Sequence, residues 1–217
     1  MTILAWHNDE ALKAEAVASM RRHRQADEFI RGSYMTAFPE AASGFKGCFH
    51  GCLTTEKLAA EKGIPVAEYV GRHWSDSWHA DGERLWGIPA RLGAVLDKLF
   101  ESIPDGWSDF AVNSVEAMPV GADLDVAVDR WMLDLLVDPD HGVVIHTADG
   151  SAQRTAVENV AKLYRRRLDG AEPTRQEWKA AAAYADAAAY AAADAAYAAA
   201  ADADADAAAA DAADAAA

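Results

Sequence analysis

Residues 87–100 read GIPARLGAVLDKLF, and this stretch decides the fold class. Leu92, Val95, Leu96, Leu99 and Phe100 recur at the three- and four-residue spacing that puts side chains on one face of an α-helix. Gly87 suits the left-handed turn that ends a preceding helix. Pro89 starts the next helix without sacrificing a hydrogen bond. The same tripeptide stands at Gly63-Ile64-Pro65, after a short helix expected over 55–62. Helices joined by tight turns therefore extend from this segment in both directions.

On the N-terminal side a first helix is expected from Asn8 or Asp9. Leu12, Ala16 and Met20 form its apolar stripe, and Arg21, Arg22 and Arg24 lie near its end, where cations suit the helix dipole. Residues 32–51 are rich in glycine and turn formers and read as loop. On the C-terminal side, helices are expected over 109–117 and 124–137. The second aligns Leu124, Val128, Trp131 and Leu135 and is expected at the centre of the core. Val143-Val144-Ile145 has the β-branching of a short strand but little to pair with. Val157, Val160, Tyr164 and Leu168 mark the last helix before Gly170.

The expected fold is all-α: a compact bundle of about six or seven helices with a long alanine-rich C-terminal helix. Residues 1–170 would form an acidic helical globular domain and residues 171–217 an Ala/Asp-rich tail that frays toward its end. Thr174-Arg175-Gln176-Glu177 has the form of a capping box that starts the tail helix. Tyr190 and Tyr197 fall together around the axis, Tyr184 points elsewhere, and the aspartates spread over all sides. No consistent face is left to bury, which rules against a coiled-coil seam.

The chain has 217 residues and a formal net charge of −15. From residue 173 onward there are eight acids and two bases, so the tail carries −6 and the rest −9. Such a chain repels phosphate backbones, and direct nucleic-acid binding is not expected. Arg165, Arg166 and Arg167 read as a solvated helix end. Two cysteines make no disulfide framework, the N-terminus lacks the features of a secretory signal, and no apolar run is fit to span a membrane. The expectation is a cytoplasmic protein with a protein partner, its oligomeric state open.

Two segments carry candidate chemistry. In Gly47-Cys48-Phe49-His50-Gly51-Cys52, a helical backbone would put Cys48 and Cys52 on one face. With His50, His73 or His79 they could hold a metal ion, for which thiolate and imidazole favour zinc. The competing readings are buried structural cysteines, with the glycines marking close packing, or a reactive thiol. The segment 73–81, with Trp86 beyond it, could offer Trp74, Trp78 and Trp86 as an aromatic wall for a ligand or partner. Tryptophans in such a pattern more often serve simply as core. Phosphate-binding glycine loops, the dinucleotide fingerprint and the His-Glu-x-x-His pattern are all missing, so nothing points to a standard nucleotide-dependent enzyme.

Gly47-Cys48-x-x-Gly51-Cys52, Gly87-Ile88-Pro89 leading into Leu96-Asp97-x-x-Phe100-Glu101, and Val120-Gly121-Ala122-Asp123-Leu124 together resemble a group of bacteriophage and prophage proteins. The likeness continues through 135–139 into an Ala/Asp/Tyr-rich tail, and it implies a phage origin without carrying over any catalytic residue. In that group a histidine often follows the second cysteine closely. Here Leu53-Thr54-Thr55 occupy that stretch and His50 lies between the cysteines. The leading expectation is a non-enzymatic accessory protein that binds a host or phage macromolecule, inhibiting it through an acidic surface. The alternatives are a small metal- or thiol-dependent enzyme centred on Cys48 and Cys52, and an assembly protein that uses its tail as a rod.

Overall fold

Helix α2 (Phe49–Lys62) organises the N-terminal part of the chain, and its burial runs nearly all the way round its first two turns. The computed structural model describes the backbone of residues 3–72 and 77–214, with side chains as far as Ala195. Among these residues the chain is mainly helical. In order come α1 (Glu10–Gln25), strands β1 (Met35–Ala37) and β2 (Phe45–Gly47), α2, α3 (Val66–Arg72), α4 (Trp78–Trp86), α5 (Ala90–Ser102), α6 (Trp107–Ala117), α7 (Leu124–Val137), α8 (Ala152–Leu168) and α9 (Arg175–Asp214). None is long and apolar enough to cross a membrane among the described residues. The chain divides into two compact units between Ala127 and Val128.

In the first unit α2 packs on α1, α3, α4 and α5, while α1 packs on α6. The stretch read as loop is an antiparallel hairpin, with Met35 opposite Gly47 and Ala37 opposite Phe45. It leads straight into α2, which starts six residues earlier than the apolar pattern suggests because its first turn is built from Phe49, His50 and Gly51. Gly51 allows this. A Cβ there would lie 1.6 Å from the Tyr34 carbonyl oxygen, so no larger residue lets α2 rest on the hairpin backbone.

The two Gly-Ile-Pro junctions behave alike. Gly63 closes α2 and Gly87 closes α4, each in the left-handed conformation at φ +66°. Asp9 caps α1, accepting from the backbone N–H of Ala11 at 2.8 Å and of Leu12 at 3.3 Å. Ahead of it Trp6 enters the core, donating to the Met118 carbonyl at 3.1 Å and meeting Trp86 edge-on. On α5 the buried residues are Gly93, Leu96 and Phe100. The buried stripe is thus turned from the Leu92/Val95/Leu99 side, and Asp97 stands on its edge.

Several further expectations fail. Trp131 and Leu135 on α7 are 40% and 44% exposed, although Leu124 and Val128 are buried, so α7 is not central along its length. Val143–His146 forms a 3-10 turn rather than a strand, consistent with the lack of a partner for it. On α8 the buried positions are Ala156, Ala161 and Leu163, with the larger predicted stripe only half-buried.

Small residues dominate that face because, in the second unit, α8 packs against α9. Ala181 and Ala188 of α9 are buried, Gln153 donates to the Ala188 carbonyl at 3.3 Å, and Tyr164 meets Trp178 edge-on. The tail therefore has a buried side, made of alanine. Its capping box forms as expected: the Thr174 N–H donates to Glu177 Oε2 at 2.7 Å, and the Glu177 N–H donates to Thr174 Oγ1 at 3.2 Å.

Candidate metal centre

Three side chains from three helices of the first unit converge: His50 from α2, His79 from α4 and Asp97 from α5. One ligand atom from each lies within 4.8 Å of the others. Local sequence explains the approach. A Cβ at Gly82 of α4 would lie 2.2 Å from His50 Nε2, and one at Gly93 of α5 would lie 2.9 Å from His50 Cε1. Two glycines thus open the slot that the imidazole fills between α4 and α5.

Asp97 is the hub. Its Oδ1 accepts the His50 backbone N–H at 3.1 Å and the Cys48 thiol at 3.5 Å. In this way it supplies the N-terminus of α2 with the acceptor that Cys48, the N-cap residue, does not provide. Its Oδ2 lies 2.8 Å from His79 Nε2, and the Tyr34 hydroxyl lies 2.9 Å from the same nitrogen. One ring nitrogen carries at most one hydrogen, so His79 Nε2 cannot donate to the carboxylate and accept from the phenol at once.

His50 is fully buried, and neither of its ring nitrogens makes a hydrogen bond of good geometry, although the Trp78 backbone carbonyl approaches the ring and favours its proton. Burial, only partly offset by the Asp97 charge, depresses its pKa to about 4. At neutral pH the ring is uncharged and keeps an unused lone pair, the form in which histidine binds metals. An unsatisfied buried polar group costs roughly 1–3 kcal/mol, so its presence calls for a function. The rings of His50 and His79 stand 5.0 Å apart at 70°.

Both thiols are free and buried. Burial and then Asp97 push the Cys48 thiol far above its ordinary range, and burial pushes Cys52 up as well. Neither has the lowered pKa of a reactive cysteine. Cys48 faces Asp97 and the cluster. Cys52 turns away, toward the Gly47 carbonyl at 3.4 Å and the Glu28 carbonyl at 3.8 Å. A cavity of about 390 Å³ adjoins the cluster, lined by Tyr34, Cys48, Asp97, Lys98 and Glu101 among others.

The structure thus joins His50 and His79 of the expected ligands, sets Cys48 beside them and excludes Cys52 from the group. His73 and Trp74 lie outside the described residues. Trp78 is buried against Tyr34, stacked at 5.2 Å, and Trp86 is buried beneath Lys57. Both belong to the core and offer no exposed wall. Asp97 is the member that sequence reasoning missed. Its signal was a carboxylate four residues after Gly93 and three before Phe100, hence in line with the buried side of α5. No protein-family pattern, curated protein or solved structure matches the chain.

Proposed function

We propose that the protein is a small metal-dependent enzyme whose ion, zinc, is bound by His50, His79 and Asp97 at the wall of the adjoining cavity. The observation that carries this reading is the fully buried, neutral His50 ring without a well-formed hydrogen bond, placed within ligand reach of a second imidazole and a carboxylate. Two imidazoles and a carboxylate suit zinc. The ion would supply Lewis acidity, and the cavity would hold a small molecule near it. Asp97 would orient the site, because its other oxygen is fixed by the start of α2. The thiol-dependent alternative has less support, since burial holds both thiols protonated.

Elemental analysis of untagged protein tests this directly. One zinc per chain is expected, with the metal lost in His79→Ala and in Asp97→Asn. A wild-type protein that takes up no zinc at micromolar concentration would sink the reading.

A second reading rests on the net charge of −15. An acidic accessory protein of phage type would dock on a basic surface of a macromolecular partner, in competition with that surface's own ligand. Its test is capture of one partner at physiological salt that is released as salt rises. Capture indifferent to salt would count against it.

A further inference from the structure

We infer that Cys48 is the fourth protein donor of this centre, so that the resting ion sits in a set of two nitrogens, one oxygen and one sulfur. The inference rests on the metal reading above and goes beyond it by naming the group that fills the position facing the cavity.

Four observations converge on Cys48. First, its thiol contacts the hub: Sγ lies 3.5 Å from Asp97 Oδ1, on the carboxylate whose other oxygen meets His79, and rotation of the side chain brings it the rest of the way into the range that the two imidazoles and Asp97 already share. Second, it is the N-cap of α2, where the Gly51 and His50 backbone N–H groups of the first turn are turned toward the sulfur and favour its thiolate. Third, it is held from behind. Its backbone N–H lies 3.1 Å from the Ser33 carbonyl and 3.2 Å from the Tyr34 carbonyl, and Gly47 and Gly51 on either side press against the same Tyr34 carbonyl. Fourth, it lines the cavity beside Tyr34 and Asp97, whereas Cys52 does not.

The thiol proton now directed at Asp97 stands where a cation would bind. Metal binding replaces it: the S–H bond breaks, a metal–sulfur bond forms, and the proton leaves to solvent through the cavity. The positive end of the α2 dipole and the ion both favour the resulting thiolate. The thiolate makes the site soft, which selects zinc over magnesium or manganese. It also closes the fourth position, so a molecule entering the cavity meets sulfur before metal and must displace it or expand the coordination to reach the ion.

Cobalt(II) is the probe, because a cobalt–thiolate bond gives an intense near-ultraviolet charge-transfer band that nitrogen and oxygen donors do not. The full-length protein, freed of metal by chelation and loaded with one equivalent of cobalt, is expected to show the band. Cys52→Ser should keep it. Cys48→Ser should lose it while still binding cobalt about tenfold or more weakly. Cobalt bound without the band overturns the inference and leaves the three-ligand reading intact, and a band that survives Cys48→Ser overturns it equally. No cobalt bound to the wild type ends both. If Cys48→Ser fails to fold, alkylation of the wild type mapped by mass spectrometry takes its place. Zinc should slow labelling at Cys48 about tenfold and leave the rate at Cys52 unchanged. Equal rates at Cys48 with and without zinc would refute the assignment.

Discussion

The helices around α2 and the pair α8–α9 both achieve close approach with small residues, yet the small residues do different work. Around α2 they are glycines, and each faces something specific: Gly47 and Gly51 the Tyr34 carbonyl, Gly82 and Gly93 the His50 ring. Between α8 and α9 they are alanines: Ala156 and Ala161 of α8 and Ala181 and Ala188 of α9 are buried, and the polar contacts of the pair, Gln153 to the Ala188 carbonyl and Arg166 to Glu177, involve other side chains. An alanine contact lets two rods lie side by side. A glycine beside an imidazole shapes a slot around a chosen side chain, and the candidate centre lies in the first unit.

The sharpest way to break this contrast is Gly51→Ala. The added methyl meets backbone at 1.6 Å and has no means of escape, so a loss of about 3 kcal/mol or more in denaturant unfolding is expected. Gly82→Ala meets only the His50 ring, which can turn aside. It should cost about 1–3 kcal/mol and reduce zinc uptake out of proportion to that loss. Equal effects of the two substitutions on stability, or a Gly82→Ala protein that binds zinc normally, would show that the slot is not specific to the ring.

Two carboxylates extend the comparison to pH. Glu28 in the first unit is buried, and burial alone would raise its pKa. The Ser43 backbone N–H at 2.8 Å and His23 at 2.7 Å outweigh that and hold it below the ordinary carboxylate value. Glu177 in the second unit is held at about 2 by Arg166, then by the Thr174 N–H, and is solvent-exposed. Both shifts have the same sign: the stabilisation is complete above the unfolded carboxylate value and is lost as pH falls through the lowered folded value. Screening separates them. In acid titrations of stability, the Glu28 contribution should persist at high salt and disappear in Glu28→Gln, whereas that of Glu177 should fade with salt. A Glu28→Gln protein with an unchanged acid limb would contradict this.

The smallest effect is expected at the start of α9. Thr174→Ala should remove about 1 kcal/mol through the lost cap, read as reduced helicity on heating. An unchanged melting profile would mean that packing on α8, and not the cap, sets where the tail helix begins.

Much of the helical order was legible because its signals are local. The glycine-proline junctions, the Asp9 and Thr174 caps and the boundaries of α7 all depend on residues within a turn of one another. What could not be read depends on partners far along the chain. The hairpin was hidden because β1 and β2 are three residues each and their pairing supports α2 rather than an apolar sheet face. The burial of α8 on alanines, and not on Val157 and Tyr164, follows from its neighbour α9. At the centre, Cys48 and His50 stood out as residue types, but their meaning came from Asp97, which lies 47 residues after His50 and looks in the sequence like one more charge on an amphipathic helix.

Asp97 holds the first turn of α2 with one oxygen and His79 with the other, so the same carboxylate secures the fold and would face the proposed ion. Occupancy of the proposed centre would thereby be coupled to the melting of the molecule. An ion that binds only the native state adds about 2.7 kcal/mol at a hundred times its dissociation constant. Thermal denaturation can thus serve as a titration, ranking metals and cavity occupants before any reaction is known. The melting temperature becomes an assay for the ligand.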